Sequence, residues 1–204
     1  MSFYCRHVLP HLISFAMSSK DLVPYRRRII SAAQGRVLEI GIGSGLNIPF
    51  YTGGVAEIIG LDPSPTLLGM ARRRGRQTGL RLDLIGASAE AIPLDDNSVD
   101  TVVMTWTICS VRDPRRTLGE IRRVLKPAGA LLFVEHGAAP EPSVAAWQNR
   151  LTPFWKRIAG GCHLNRDVAN LLEKAGFTVP DLATGYMRGP RIATFMYEGR
   201  ARPR

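Results

Sequence analysis

Val37-Leu38-Glu39-Ile40-Gly41-Ile42-Gly43-Ser44-Gly45-Leu46-Asn47 is the stretch on which the fold turns. A short apolar run ends in an acidic residue and passes at once into a glycine-rich turn, the pattern of a buried strand feeding a helix. Missing side chains let a ligand lie on the backbone, and the sharp turn needs glycine's conformational freedom. In an open α/β sheet a nucleotide-like ligand sits at the carboxyl ends of the strands beside the switch point. The dinucleotide fingerprint G-x-G-x-x-G sets a helix N-terminus against a pyrophosphate. Here the third glycine falls one position early, at Gly45, and Leu46 fills the slot which the fingerprint reserves. Glu39 would place a negative charge against any pyrophosphate and suits the amino group of an amino-acid moiety better. An unphosphorylated ligand is expected.

About twenty residues further on, Gly60-Leu61-Asp62-Pro63-Ser64 ends a second strand on a carboxylate, placed to accept hydrogen bonds from both ribose hydroxyls. The structural alternative is that Asp62 caps the following helix.

Outward from these motifs, strand-like and helix-like segments alternate, predicting a parallel sheet covered on both faces. Strands are expected at 36–40, 58–61, 82–85, 99–104 and 130–134. Helices are expected at 66–74 and 115–125, the latter with Leu118, Ile121, Val124 and Leu125 on one stripe. Lys126-Pro127-Ala128-Gly129 should stop that helix and turn the chain into the fifth strand. A helix over about 20–33, capped by Ser18 or Ser19 and ended by Gly35, leads into the fold. Beyond the fifth strand come a segment at 140–159 with Trp147, Phe154 and Trp155, a helix over 165–175, and a terminal antiparallel pair at 177–182 and 192–198.

The chain of 204 residues, 45% hydrophobic and 22% charged, suffices for one substantial core. Its reading is a first segment, 1–34, as a helical lid and a second, 35–200, as the ligand-binding domain. No apolar run reaches the ~18 residues that a spanning helix needs. The run from Val8 to Met17 is broken by Pro10 and His11, and no small-x-small cleavage site follows it, against a secretory signal. Cys5, Cys109 and Cys162 share no framework spacing and read as free thiols in a reducing, cytoplasmic setting. The net charge of +10 is scattered along helix faces without interleaved aromatics, so no nucleic-acid partner is expected. Contact with a membrane surface through the N-terminal region stays open.

Glu39-x-Gly41-x-Gly43-x-Gly45, Asp62, Ser88-Ala89-Glu90-Ala91-Ile92-Pro93 followed by Asp95 to Asp100, and Glu120 to Lys126-Pro127-x-Gly129 together resemble a class I S-adenosylmethionine-dependent methyltransferase of the type-11 group. That family has a doubly wound, mostly parallel seven-stranded sheet, and the N-terminal helices would be an addition to it. Cys109-Ser110-Val111, Glu135-His136 and Gly161-Cys162-x-Leu164-x-Arg166 are further similar to thiol methyltransferases and to bacterial proteins labelled phospholipid N-methyltransferases. The resemblance implies that Glu39, Gly41, Ile42, Gly43, Ser44, Gly45 and Asn47 hold the methionine end of S-adenosylmethionine. It implies Asp62 on the ribose, Pro63 and Ser64 lining the adenine pocket, and Ser88 and Ala89 at the adenine edge, where the family usually has aspartate at the Ser88 position. Thr105 and Trp106 would lie against the methionine chain, with the indole face toward the sulfonium; core packing is the structural alternative for Trp106.

Methyl transfer is an in-line displacement, so the protein mainly aligns the acceptor and excludes water. The acceptor is small or lipid-like, and thiol, amine and hydroxyl all remain open. His136, just past the fifth strand, is the candidate general base, or else a hydrogen-bonding partner only. Cys162 with His163 suggests metal, but no further ligands are apparent, and none is expected. Tyr4, His7, Leu12, Phe15 and Tyr25 are a candidate lid over the acceptor site, with plain packing as the alternative. Two rival readings are an NAD(P)-dependent oxidoreductase and a catalytically silent cofactor-binding scaffold.

Overall fold

Strand β1 (Gly35–Ile40) lies inside the sheet, and the strands on either side of it make its terminal turn a site. In a computed structural model that describes residues 4–204 apart from the Cys5 side chain, β1 pairs in parallel with β2 (Val55–Leu61) and with β4 (Val99–Thr105). β2 carries β3 (Leu82–Ile85) and β4 carries β5 (Leu125–His136), both parallel. β8 (Phe195–Pro203) runs antiparallel to β5, and its other edge takes β6 (Phe177–Thr178) and β7 (Ala183–Tyr186). Chain order reverses between β1 and β4, which puts the switch point at the end of the glycine-bearing strand.

The strands read as apolar runs because both faces are covered. Leu38, Ile40, Val102, Met104, Leu131 and Phe133 point to one core; Val37, Val103, Leu132 and Val134 point to the other. Helices α4 (Pro114–Val124) and α6 (Val168–Lys174) cover the first side, and α2 (Val23–Ile30) covers the second with Ile29 and Ile30. The predicted stripe of α4 is buried at Leu118, Ile121 and Val124. Each such side chain contributes ~1.5–3 kcal/mol of burial. Asp113 starts that helix by accepting the Arg115 and Arg116 N–H groups, with Pro114 at its first position.

Several predicted boundaries move for identifiable reasons. The α4 stripe ends at Val124, and Leu125 already pairs with Val99 in β5. Lys126 to Gly129 then bulge out before Ala130 rejoins opposite Thr101. A Cβ on Gly129 would come within 2.9 Å of the Asp100 and Lys126 carbonyl oxygens. The predicted 20–33 helix is a 3-10 turn at Lys20–Leu22, capped by Ser19, followed by α2. Gly35 has the expected left-handed φ of +67°, yet it opens β1 rather than closing the helix. The seventh position of the sheet holds two short strands, β6 and β7, separated by a turn at Pro180 and Asp181. The last strand starts at Phe195, after a turn of helix, α7 (Arg191–Thr194), where a strand was expected.

A π-helical turn at Tyr4–Val8 and helix α1 (Leu9–Met17) lie against the loop that leaves β1, where Ser14 Oγ donates to Ser44 Oγ at 2.8 Å. Thr66, at the start of α3 (Pro65–Gly75), donates its hydroxyl to the Arg6 carbonyl at 3.2 Å. Tyr4 donates its hydroxyl to the Ile158 carbonyl, at the end of α5 (Pro142–Ile158), at 3.1 Å.

Candidate functional site

The three glycines of the turn all have left-handed φ, and each has a different reason for lacking a side chain. A Cβ on Gly41 would stand 2.4 Å from Thr107 Oγ1, and one on Gly45 would stand 2.7 Å from Ile48 Cδ1 and 3.0 Å from Ala71 Cα. Gly43 meets nothing closer than a backbone oxygen at 3.8 Å. The first and third therefore fit the turn into the protein, and the middle one leaves an open backbone face. The expected helix after the turn is absent. Only a 3-10 turn at Ile48–Phe50 follows, and Tyr51 goes extended so that its hydroxyl reaches Glu39. No α-helix N-terminus stands at this turn to receive a pyrophosphate.

Glu39 is buried, with Oε1 accepting from Asn47 Nδ2 at 2.8 Å and Oε2 accepting from Tyr51 at 2.7 Å. Burial pushes its pKa up to about 7, against the hydrogen bonds from Tyr51 and Asn47. Its carboxylate is the floor beneath Asn47. Asn47 Nδ2 also donates to Thr105 Oγ1 at 2.9 Å, and Asn47 Oδ1 is buried without a partner. Ile42 and Ser44 are buried, and Ser44 Oγ accepts from Ser14 of α1 at 2.8 Å.

Asp62 does not cap α3. Ser64 does, accepting the Leu67 N–H, while Asp62 Oδ2 accepts from Gly43 N–H at 3.1 Å and Oδ1 from Ser64 N–H at 2.8 Å. The carboxylate thus ties the glycine turn to the end of β2 and keeps further lone pairs available. Pro63 is exposed beside it. Ser88 is exposed and accepts the Glu90 N–H at 3.2 Å, while the Ala89 methyl packs in the core.

Trp106 has a left-handed φ of +49°, and the cation over its ring is Arg26 of α2, 4.7 Å from the centroid. One face of the indole is thereby taken by a guanidinium. Arg26 is buried, its pKa lowered to about 10 by that burial against the opposing charge of Glu39. No local sequence signal marks Arg26, because α2, which precedes β1 and is distant in sequence from Trp106, delivers it.

At the ends of β4 and β5 the residues are different. Glu135 is fully buried, and its Oε1 accepts from Thr107 N–H at 2.6 Å and Ile108 N–H at 3.0 Å. Burial raises its pKa to about 7. His136 Nε2 lies 3.1 Å from Cys162 Sγ, and Cys109 Sγ joins them, all three ligand-type atoms lying within 4.8 Å of one another. Burial disfavours the His136 imidazolium, but the Cys162 contact and the Glu135 charge outweigh it and raise the pKa. His163 does not join Cys162 in this group. His163 turns away and bonds the Cys109 carbonyl through its backbone N–H at 2.8 Å and through Nδ1 at 3.2 Å. Arg166 also holds this loop, through the Ile108 and Val111 carbonyls. Sequence reading missed Gln148, buried in α5, which bonds Ala139 N–H and the Gly137 and Ile192 carbonyls and fixes the chain after His136.

Among the described residues, five buried side-chain atoms lack a partner, and four of them belong to Arg26, Asn47, Glu135 and His136 at this end of the sheet. Buried polar atoms are ordinarily paired, so their clustering fits a ligand site. Glu39, Asp62 and Glu135 are buried at this end of the sheet, and Glu39 lies opposite the buried Arg26 guanidinium. Fold and site together define a nucleoside-binding transferase of the S-adenosylmethionine-dependent class.

A family profile described as a methyltransferase domain matches residues 38–133. The thiol S-methyltransferase TMT1B of Rattus norvegicus is 35% identical over 188 residues, 85% of this chain and 77% of that protein. A phosphatidylethanolamine N-methyltransferase of Cereibacter sphaeroides is 32% identical, over 70% of this chain and 72% of that protein. The crystal structure of the YcgJ protein of Bacillus subtilis superposes with a TM-score of 0.72 at 17% identity, covering 90% of this chain and 98% of that one. The chain belongs to the class I S-adenosylmethionine-dependent methyltransferases. It is an enzyme that uses S-adenosylmethionine to methylate small-molecule acceptors, and the oxidoreductase reading is set aside.

Proposed function

We propose that the acceptor is the sulfur of a small apolar thiol. The observation that carries this reading is the meeting of His136 Nε2 with Cys162 Sγ at 3.1 Å beside Cys109. A thiol of ordinary pKa ~8.5 needs only a weak base, and imidazole at ~6.5 is one. A hydroxyl or an ammonium holds its proton more tightly than a thiol does, so a base as weak as imidazole serves it less well. The similarity to thiol S-methyltransferases points the same way.

In this reading the backbone of Gly41, Ile42, Gly43, Ser44 and Gly45 lies against the methionine end. Asn47 Oδ1 accepts from its ammonium, with the Glu39 charge behind. Asp62 accepts the ribose hydroxyls with its remaining lone pairs, while Pro63, Ser64, Ser88 and Ala89 frame the adenine. Thr105 and Trp106 wall the methionine chain. S-adenosylmethionine supplies an electrophilic methyl group and a good leaving group when bound. The protein aligns the acceptor, where effective molarity contributes ~7 kcal/mol or more, and His136 receives the acceptor's proton at Nε2. Helix α1, tethered to Ser44 and Ile158 by Ser14 and the preceding Tyr4, acts as a lid that excludes water.

The same lid and α5 carry the exposed large apolar side chains Val8, Leu12, Phe15, Trp147, Phe154, Trp155 and Ile158. Neither residues 1–20 nor 142–166 contain an aspartate or glutamate, whereas Arg6, Lys20, Arg150, Lys156 and Arg157 fall within them. This combination fits docking on an anionic bilayer surface, from which apolar acceptors would partition into the site. No helix among the described residues is long and apolar enough to cross a membrane.

A test offers isotope-labelled S-adenosylmethionine with a thiol, an amine and an alcohol on one apolar skeleton. Label is expected in the thioether; label in the amine or ether instead contradicts the reading.

A further inference from the structure

The sulfur-bearing end of the site has a geometry that proton transfer alone does not require. Three soft or borderline donors converge there from three separate elements: Cys109 after β4, His136 at the end of β5, and Cys162 after α5. Their ligand atoms lie within 4.8 Å of one another, with His136 Nε2 and Cys162 Sγ already at 3.1 Å. Zinc–sulfur and zinc–nitrogen bond lengths place neighbouring ligands of a tetrahedral site roughly 3.5–3.8 Å apart. Small side-chain rotations separate the observed arrangement from that one.

The surrounding backbone holds the donors in place. Gly160 and Gly161, with left-handed φ values of +63° and +88°, turn the chain so that Cys162 faces His136. A Cβ on Gly161 would stand 3.1 Å from the Ser110 carbonyl oxygen, so this turn lies against the Cys109 loop. His163 and Arg166 fasten the same loop through the Cys109, Ile108 and Val111 carbonyls. Glu135, the nearest carboxylate in sequence, accepts backbone amides of the Thr107–Cys109 loop, and its oxygens are not among the three converging ligand atoms.

We propose that Cys109 Sγ, His136 Nε2 and Cys162 Sγ bind a thiophilic divalent cation of the zinc class, leaving a fourth position for the acceptor thiol. Two thiolates and an imidazole select such a cation over magnesium or calcium. Three protein ligands and one open position are the arrangement of catalytic rather than structural zinc. The inference deepens the thiol reading and rests on it for the identity of the fourth ligand. His136 is then a ligand rather than a base, and the acceptor thiol loses its proton to solvent on coordination. Its sulfur forms the new bond to the methyl carbon while the carbon–sulfonium bond breaks, the electron pair going to the departing sulfur. Both products are neutral thioethers, no centre is oxidised or reduced, and a thioether binds the cation more weakly than a thiolate, which frees the product.

The test titrates reduced, chelator-stripped full-length protein with cobalt(II) alone. One equivalent is expected to produce a thiolate-to-cobalt charge-transfer band and tetrahedral d–d bands, which one equivalent of zinc removes. A small alkyl thiol, added without cofactor, should shift the d–d bands. Cys109→Ser and Cys162→Ser should lose these bands while still binding S-adenosylhomocysteine, which shows that they fold, and Cys5→Ser should retain them. Absence of the bands, or their survival in Cys162→Ser, overturns the cation site. Ready closure of a Cys109–Cys162 disulfide in place of cobalt binding does so as well. Thiol methylation persisting without any cobalt signal removes the cation and leaves the thiol reading intact. Methylation of the amine or alcohol removes the thiol reading whatever cobalt shows.

Discussion

The two ends of the active site are made in different ways. The cofactor end is local: Glu39, the glycine turn, Asn47 and Asp62 come from two adjacent parallel strands and the loops that leave them. The acceptor end is assembled at a distance. His136 and Cys162 are 26 residues apart, and Cys109 comes from yet another strand end. A local site leaves its spacing in the sequence, and an assembled one leaves only residue types. That difference decides which substitutions unfold the protein, which unload it, and which merely stop transfer.

The largest effect is expected within the glycine turn. Gly41→Ala would drive a methyl group to 2.4 Å from Thr107 Oγ1 in a left-handed backbone. It should lose about 2–4 kcal/mol in denaturant unfolding, together with cofactor binding. Gly43→Ala faces open space and should lose about 1 kcal/mol from the backbone alone, yet still obstruct the cofactor. Equal destabilisation by both would break the assignment of different roles to the two glycines.

A middle-sized effect concerns the buried floor. The pKa of Glu39 is raised from 4.5 to about 7 by burial. Its neutral form is the one that the fold prefers, so its contribution to stability is full below pH 4.5 and is lost as pH rises through 7. Glu39→Gln should match the parent near pH 4 and exceed it by roughly 1–3 kcal/mol above pH 8 in the cofactor-free protein. A constant gap across that range would contradict the burial argument.

The smallest effect on the folded protein should come from the outer surface. Phe15→Ser with Phe154→Ser removes exposed apolar groups and should leave both unfolding and turnover of a water-soluble thiol near the parent's values. Cosedimentation with vesicles containing phosphatidylserine should fall several-fold. Unchanged cosedimentation would remove the bilayer from the account.

Much of the fold was legible because parallel strands covered on both faces are written as apolar runs between turn residues. The Asp62 carboxylate was legible because strand, turn and strand are short and regular. What escaped was contact between segments far apart in sequence. Arg26 on the Trp106 ring could not be read from either neighbourhood. Tyr51 drew the chain out of the helix expected after Asn47. Cys162 meets His136 rather than its neighbour His163, because the glycine pair before it turns the thiol that way. The edge strand is interrupted by a turn at Pro180 and Asp181, within the run expected to be continuous from 177 to 182.

The division between the two ends can be measured directly by calorimetric titration of S-adenosylhomocysteine into Asp62→Ala and His136→Asn beside the parent. Loss of the carboxylate should weaken binding by ~1.5–3 kcal/mol, more than tenfold, whereas His136→Asn should bind as the parent does while methyl transfer is abolished. Undiminished affinity in Asp62→Ala, or affinity lost in His136→Asn, would contradict it.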